Sequence, residues 1–404
     1  MIDSIIKDRC TGCEGCASVC PTKCIDMVQN YEGFFMPQVN LNKCVNCKMC
    51  INICPVINYD KNHRNIVDKK TAYAFKSNND EFRRICSSGA VFLSLATYFI
   101  EHDGIVYGAS FDGSYNVIHK SATSTSEVIE LAGSKYVQSR INDIYLEIKD
   151  KLEQEKKVIF FGTTCQVEGL RAYLGKNYSF LYCVDLICMG IPSPLAWDKY
   201  LDTYYKRSEI KKINFKDKSL GWHKFSFLLE KNNGTSISIP GFDNTYMQCM
   251  FKGYSIRKSC FDCCFKSESK IADITIADCW GCENYISELD DNKGLSMVIC
   301  HSNKSDELIG ILKEMGIVER FEYSNVLKYN SNYNNSTTTK KGRNIFYKLL
   351  YIYPVLAFGV MGKNPQNSFL RKVCSKIRSA IGDKKNDKNT YFRRFGDIKL
   401  RCVK

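Results

Sequence analysis

CTGCEGCASVCP at residues 10–21 and CVNCKMCINICP at 44–55 each space four cysteines as C-x2-C-x2-C-x3-C and close with a proline. Cluster iron is soft enough to prefer thiolate, and three thiolates two residues apart wrap a loop around one cube face, so the fourth ligand comes from elsewhere. The spacing predicts two 4Fe-4S cubanes with crossed ligands: Cys10, Cys13, Cys16 and Cys54 on one, Cys44, Cys47, Cys50 and Cys20 on the other. Pro21 and Pro55 fit as helix-breaking turns after the crossing ligands. Zinc also takes C-x2-C pairs, but it needs only four thiolates and has no use for a tandem triple run. Cys24 lies outside the pattern and reads as a small buried residue.

Such a run resembles the bacterial-type ferredoxins and predicts a two-cluster ferredoxin domain over residues 1–58, an internal repeat of 34 residues from Cys10 to Cys44. CIDMV and MPQVN, joined across NYEGFF, read as paired strands between the repeats. Residues 59–70 carry no apolar pattern and read as a linker. Beyond them, β-rich runs (TAYAFKS, GIVYGASF, KVIFFG, FLYCVDLIC, IADITIADC) alternate with helical stretches at 89–101, 140–155 and 193–206, which argues for a mixed α/β core over 71–330. The fold class expected is therefore α+β / α/β: a small ferredoxin domain, a larger mixed core, and a basic helical tail over 331–404.

The composition is that of a globular protein, 44% hydrophobic and 25% charged over 404 residues. Its 22 cysteines cluster as ligand runs, and MIDSIIKDRC has no apolar signal region, so a reducing cytoplasm is the expected compartment. The formal charge of +14 falls to roughly +10 once two clusters are counted with their thiolates. Much of it lies late, in KKGR (340–343), RKVCSKIR (371–378) and DKKNDKNTYFRRF (383–395). No nucleic-acid motif accompanies it, so an acidic redox partner or an anionic lipid surface suits it better. NSNYNNSTTTKKG (330–342) reads as a flexible connection. The apolar run Ile345–Met361 is broken by Lys348 and Pro354, and a helix of that length reaches only about 26 Å, too short for the roughly 30 Å hydrocarbon core. Packing on the core is the expectation, with a surface-lying, membrane-peripheral segment as the alternative.

Within the core, ICSSGA (85–90) sets small residues before an apolar helix, and VIFFGTTCQVEGL (158–170) is a strand that turns through Gly162, Thr163 and Thr164 into a helix, the place where open α/β sheets bind cofactors. Taken in order, ICSSGA, GSKYVQS, GTTCQ, DLICMG, LGW, SCFDCC and DITIADCWG resemble the beta-subunit family of coenzyme F-420 hydrogenases and dehydrogenases. The sequence departs from that family's usual motifs at SSGA for SSGG, GTTCQ for GTPCQ, CMG for CHG and ADCWG for GDFWG. These changes, Met189 for a histidine among them, leave the scaffold plausible and the substrate open.

The resemblance implies a flavoprotein, with FAD in the core wired to iron–sulfur clusters. It implies flavin contacts at Ser87, Ser88 and Gly89, at Lys135, Tyr136 and Gln138, and at Gly162, Thr163 and Gln166, with Trp280 walling the pocket. It also implies a third 4Fe-4S cluster on Cys165, Cys188, Cys260 and Cys263, with Cys264, Cys279 and Cys282 competing for the fourth position. Lys135 would neutralise a pyrophosphate or an anionic flavin, though a solvated lysine explains it equally. His119 and His223 are candidate proton donors, more simply read as structural histidines. The expected function is an iron–sulfur flavin-dependent oxidoreductase passing electrons between the ferredoxin clusters, FAD and an organic carrier or substrate, with a redox partner protein or low-potential electron carrier. The rivals are a flavin-free electron-transfer adaptor and a redox protein associated with cell-surface polysaccharide synthesis.

Overall fold

The computed structural model describes residues 1–63, 70–339 and 341–361. The N-terminal region is ferredoxin-like. Strands β1 (Ile25–Gln29) and β2 (Phe35–Val39) pair antiparallel from Ile25↔Val39 to Gln29↔Phe35. In each cysteine run a short helix, Gly15–Ser18 or Met49–Asn52, starts after one left-handed residue, Glu14 (φ 62°) or Lys48 (φ 60°). A non-glycine residue adopts that conformation only where the surroundings fix it, so the repeat in the sequence is a repeat in the backbone.

The core is built on an eight-stranded mixed sheet. Its strands are β3 (Thr71–Ser77), β4 (Ile105–Phe111), β5 (Val117–Ala122), β6 (Val158–Thr163), β7 (Leu181–Leu186), β11 (Ile274–Asp278), β12 (Ser296–Cys300) and β13 (Gly316–Phe321), in the order β13-β3-β12-β11-β7-β6-β4-β5. The four central strands β11, β7, β6 and β4 run parallel, and both their faces are covered, which is why they read as nearly unbroken apolar runs. Along β6 the pleat sends Ile159 and Phe161 towards helices 91–101 and 305–315, and Val158 and Phe160 towards helices 144–153 and 164–174.

A second sheet, unexpected from the sequence, consists of β8 (Ile210–Asp217), β9 (Ser226–Lys231) and β10 (Ser236–Pro240), all antiparallel. It packs on helices 194–204 and 245–251 through an aromatic core that includes Trp197, Tyr200, Phe215, Phe227 and Tyr246.

Three boundaries differ from expectation. The segment read as linker opens with a helical turn at Tyr59–His63, and Tyr59 meets Phe265 edge-on at 5.7 Å. The rest of it, 64–69, lies outside the described residues. Helix 144–153 is shorter than the expected 140–155, because Arg140 is bridged to Ile118. The expected tail begins as part of the core: Phe346, Tyr347, Leu350, Ala357 and Phe358, on helices Arg343–Ile352 and Pro354–Met361, are buried in the aromatic cluster. Among the described residues no helix is long and apolar enough to cross a membrane. The basic runs 371–378 and 383–395 lie outside the described residues.

Candidate functional site

Cys10, Cys13, Cys16 and Cys54 line one pocket of about 350 Å³, solvent at its mouth included, with Ile2, Ile6, Met27 and Val56 as its apolar walls. Burial first, and then the neighbouring thiols, push the Cys13 thiol up to about 12 and the Cys16 thiol well above its ordinary value. Thiols so placed suit a cationic cluster core, which draws off their protons. The Gly12 amide donates to Cys10 Sγ at 3.4 Å, the kind of N–H···S contact that tunes cluster thiolates.

Cys20, Cys44, Cys47 and Cys50 form the other set. Cys50 is within electrostatic reach of Cys47 and Cys20, while Cys24, buried, places its Sγ 3.4 Å from Cys20 Sγ and reaches Cys44. Here Cys47 is exposed, and every residue from 40 to 49 is exposed except Cys44.

The first run is clamped to the core. Glu14, buried, accepts from Arg140 Nε at 2.6 Å and from the Asn142 amide at 3.0 Å. Arg257, also buried, donates to the carbonyls of Cys10 (2.6 Å) and Phe35 (3.0 Å) and to Gln138 Oε1 (3.1 Å). A Cβ on Gly12 would stand 2.4 Å from the Gln138 side chain, and one on Gly169 of helix 164–174 would stand 2.9 Å from the Cys13 Cβ, so side chains press directly on glycine backbone across this seam. Arg343 closes it from the C-terminal side with a bidentate pair to the buried Glu32.

Cys165, Cys188, Cys260 and Cys263 line a second pocket of about 530 Å³, solvent at its mouth included. They come from three places: Cys165 from the start of helix 164–174, Cys188 from the turn after β7, and Cys260 and Cys263 from the segment before β11. Two amides point at these sulfurs, Gly190 N to Cys188 Sγ at 3.3 Å and Ile191 N to Cys260 Sγ at 3.4 Å. Of the competitors, Cys279 and Cys282 belong to a separate buried cluster beside Tyr285, whereas Cys264 shares the cluster facing the ferredoxin region with Cys165 and Cys263 but does not line the pocket. Among the described residues no three His, Cys, Asp or Glu side chains converge on a point fit for a single ion. A cubane differs from a single ion in giving each thiolate its own iron, so its ligands stand further apart.

Thr11 lines both pockets. Its hydroxyl is buried without an oxygen or nitrogen partner and faces the Cys13 thiol. The polar stretch expected as a flexible connection covers the second pocket instead: Asn332 and Tyr333 line it, Ser336 Oγ accepts from the Cys263 amide at 3.0 Å, and Thr337 donates to the Met189 carbonyl. Lys266 and Lys270 also line it. Nothing in the sequence around 330–339 announces this role, because its partners lie more than sixty residues away.

The residues expected to contact a flavin fall into two groups. Gln138, Gly162, Thr163 and Gln166 lie beside the thiol sets: Gln138 at the seam, and Thr163 capping helix 164–174 with Gln166 while its hydroxyl meets Cys165 Sγ at 3.2 Å. Ser87, Ser88, Gly89, Lys135, Tyr136 and Trp280 gather elsewhere. Ser87 pairs with Ser134 at 2.8 Å, Ser88 donates to the Leu295 carbonyl at 2.6 Å, and the Gly89 amide donates to Ser296 Oγ at 2.8 Å. Lys135 caps the end of helix 125–131, donating to the carbonyls of Leu131 and Ala132 at 2.9 and 2.8 Å, and burial pushes its pKa down to about 7.

Three further residues there were missed: Lys216, Lys218 and Asp278. Lys216 pairs with Asp278 at 2.6 Å and lies over the Trp280 ring, which stacks on Trp222 at 5.0 Å. Lys218 donates to the Ser88 carbonyl at 2.9 Å, and burial lowers its pKa to about 8. The signal available was FKDKSLGW, whose two lysines stand two residues apart, Lys216 near the end of β8 and Lys218 just past it. His119 is buried between Ser139 and the Phe161 carbonyl, and burial pushes it down to about 4. His223 pairs with Asp290 at 2.8 Å, towards the surface.

Residues 9–58 match the family model of the 4Fe-4S dicluster domain, and residues 155–325 match that of the C terminus of the beta subunit of coenzyme F420 hydrogenase/dehydrogenase. The coenzyme F420 hydrogenase subunit beta of Methanococcus voltae is 28% identical over 127 residues, 30% of this chain and 44% of that protein. The chain thus spans under half the length of this relative. An uncharacterized polyferredoxin-like protein of Methanocaldococcus jannaschii is 43% identical over 48 residues, 10% of this chain and 29% of that protein. A chain of the xenon-derivatised F420-reducing nickel–iron hydrogenase complex from Methanosarcina barkeri aligns at 17% identity and a TM-score of 0.43, over 81% of this chain and 98% of that one. This is an iron–sulfur redox protein related to the beta subunit of coenzyme F420 hydrogenase, with one stretch that matches a 4Fe-4S dicluster domain and another that matches the C terminus of that subunit.

Proposed function

We propose that the chain is an iron–sulfur flavin-dependent oxidoreductase in which two ferredoxin-type clusters and a third cluster on Cys165, Cys188, Cys260 and Cys263 connect a low-potential carrier to a flavin. The observation that carries this reading is the wall that two of the thiol pockets share at Thr11. A cofactor in each would be separated by one residue.

The flavin is assigned to the group around Ser87, Lys135, Tyr136, Lys218 and Trp280. Buried cations whose pKa values have fallen to about 7 and about 8 favour an anionic ligand such as a pyrophosphate, which would restore their charge. When bound, the flavin supplies the conversion between single electrons and the pairs that an organic acceptor takes. The protein's own part is to fix the cofactor's position, exclude water with the stacked Trp222 and Trp280, and hold positive charge at Lys135, Lys216 and Lys218. The acceptor is a deazaflavin-type coenzyme or another organic carrier.

Anaerobic reconstitution with iron, sulfide and FAD quantified tests this directly. About twelve irons and one FAD per chain are expected; about eight irons with no flavin would overturn it. A specific observation favours the adaptor as second reading: the polar groups of Ser87, Ser88, Gly89 and Lys135 already have partners within the protein. In that case the iron survives and the released-flavin absorbance is absent.

A further inference from the structure

Residues 40–49, NLNKCVNCKM, surround the second thiol set and turn outward. Leu41 is 65% exposed, Val45 64% and Met49 41%, and Lys43 and Lys48 stand between them with no acidic residue in the loop. Exposed apolar side chains in a group, with one sign of charge interleaved, mark a contact surface rather than a solvated loop. Cys47, at its centre, is itself exposed. Electron transfer weakens steeply with distance, so a protein cofactor must come close, and this is where one of the thiol sets reaches the surface. The first set lies under helix 164–174 and the Arg257 clamp.

We infer that loop 40–49 is the docking surface for a small acidic electron-carrier protein. The inference rests on the proposed cluster relay and adds to it the partner's chemistry and place of entry. Lys43 and Lys48 steer a negatively charged carrier to the loop, and Leu41, Val45 and Met49 give a dry contact once it arrives. One electron leaves the reduced carrier, which is oxidised by one unit, and enters the cluster held by Cys20, Cys44, Cys47 and Cys50, which is reduced by one. No proton or covalent bond moves.

The test uses the whole reconstituted chain, anaerobically, with the hydroquinone of a strongly acidic flavodoxin as donor and the appearance of its one-electron-oxidised semiquinone absorbance as the signal. Lys43→Glu combined with Lys48→Glu is expected to lower the second-order rate about tenfold at low salt, and the difference should vanish as ionic strength rises. Leu41→Ser with Val45→Ser should slow the reaction at all salt concentrations. In every variant the final extent of bleaching by dithionite should match the parent. Equal rates for parent and charge-reversed chain at low salt would overturn the docking surface, as would a variant that sediments at half the parent's mass while keeping its rate, which would make the loop a self-contact. A parent with no iron–sulfur absorbance would instead overturn the relay beneath it.

Discussion

The two halves of the ferredoxin repeat share one backbone and live in opposite surroundings. Glu14 and Lys48 follow the second cysteine of their runs and adopt the same left-handed conformation, φ 62° ψ 3° and φ 60° ψ 6°. Glu14 is 3% exposed and held by Arg140; Lys48 projects from an open loop. A cluster motif thus dictates its own geometry, while the residues it leaves free decide what that geometry faces.

The largest expected contrast is in the ligands themselves. Cys13→Ser should remove about four irons and lower the melting midpoint of the whole chain, since Cys13 packs against Gly169 of the core and bound metal contributes folding free energy. Cys47→Ser should also cost about four irons, yet leave the core's midpoint within about 2 °C. Iron analysis with calorimetry reads both, and equal losses of stability would break the comparison.

Next comes the matched pair of charges. Glu14→Lys puts a second cation beside Arg140 in a buried site and should cost about 5 kcal/mol, whereas Lys48→Glu should stay within about 0.5 kcal/mol. Urea midpoints for the two variants measure the gap.

A third change sharpens the contrast within the core. Ala90 begins the helix after the serines with φ 75°, where its Cβ is strained and glycine is not. Ala90→Gly should stabilise by about 1 kcal/mol, unlike a helix-interior glycine, which destabilises. Denaturant titration decides the sign.

The smallest effect is a pH dependence at Lys135. Its folded pKa lies at about 7, below the roughly 10.4 of an unfolded lysine, so the unfolded state binds more protons between these values and stability rises with pH across that window. Below pH 7 the folded chain bears the full cost of burying the charge. Lys135→Met should flatten this rise, seen as a smaller difference between urea midpoints at pH 7 and pH 9.5.

The cysteine runs were legible because spacing along the chain is all that a loop around a cube face requires. The central strands were legible for a related reason: β6 and β7 are covered on both faces and show it as nearly unbroken apolar sequence. The seam was not. Arg257 and Glu32 are polar residues that look like surface until partners hundreds of positions away bury them, and Gln138, expected as a flavin contact, lies at the seam with Arg257. The second sheet escaped notice for want of a long apolar run, since β10 alternates exposed and half-buried residues. The stretch 330–339 misled by composition: Ser336 accepts from the Cys263 amide, Thr337 donates to the Met189 carbonyl, and the Asn332 carbonyl accepts from Lys266.

Thr11 is a partition between two chambers, and a partition belongs to neither room alone. Any side chain placed there alters the polarity felt on both sides at once, so the potentials of the two occupants would shift together. Adjusting one independently would have to come from the far walls, Ile2 and Met27 on one side and Tyr333 on the other.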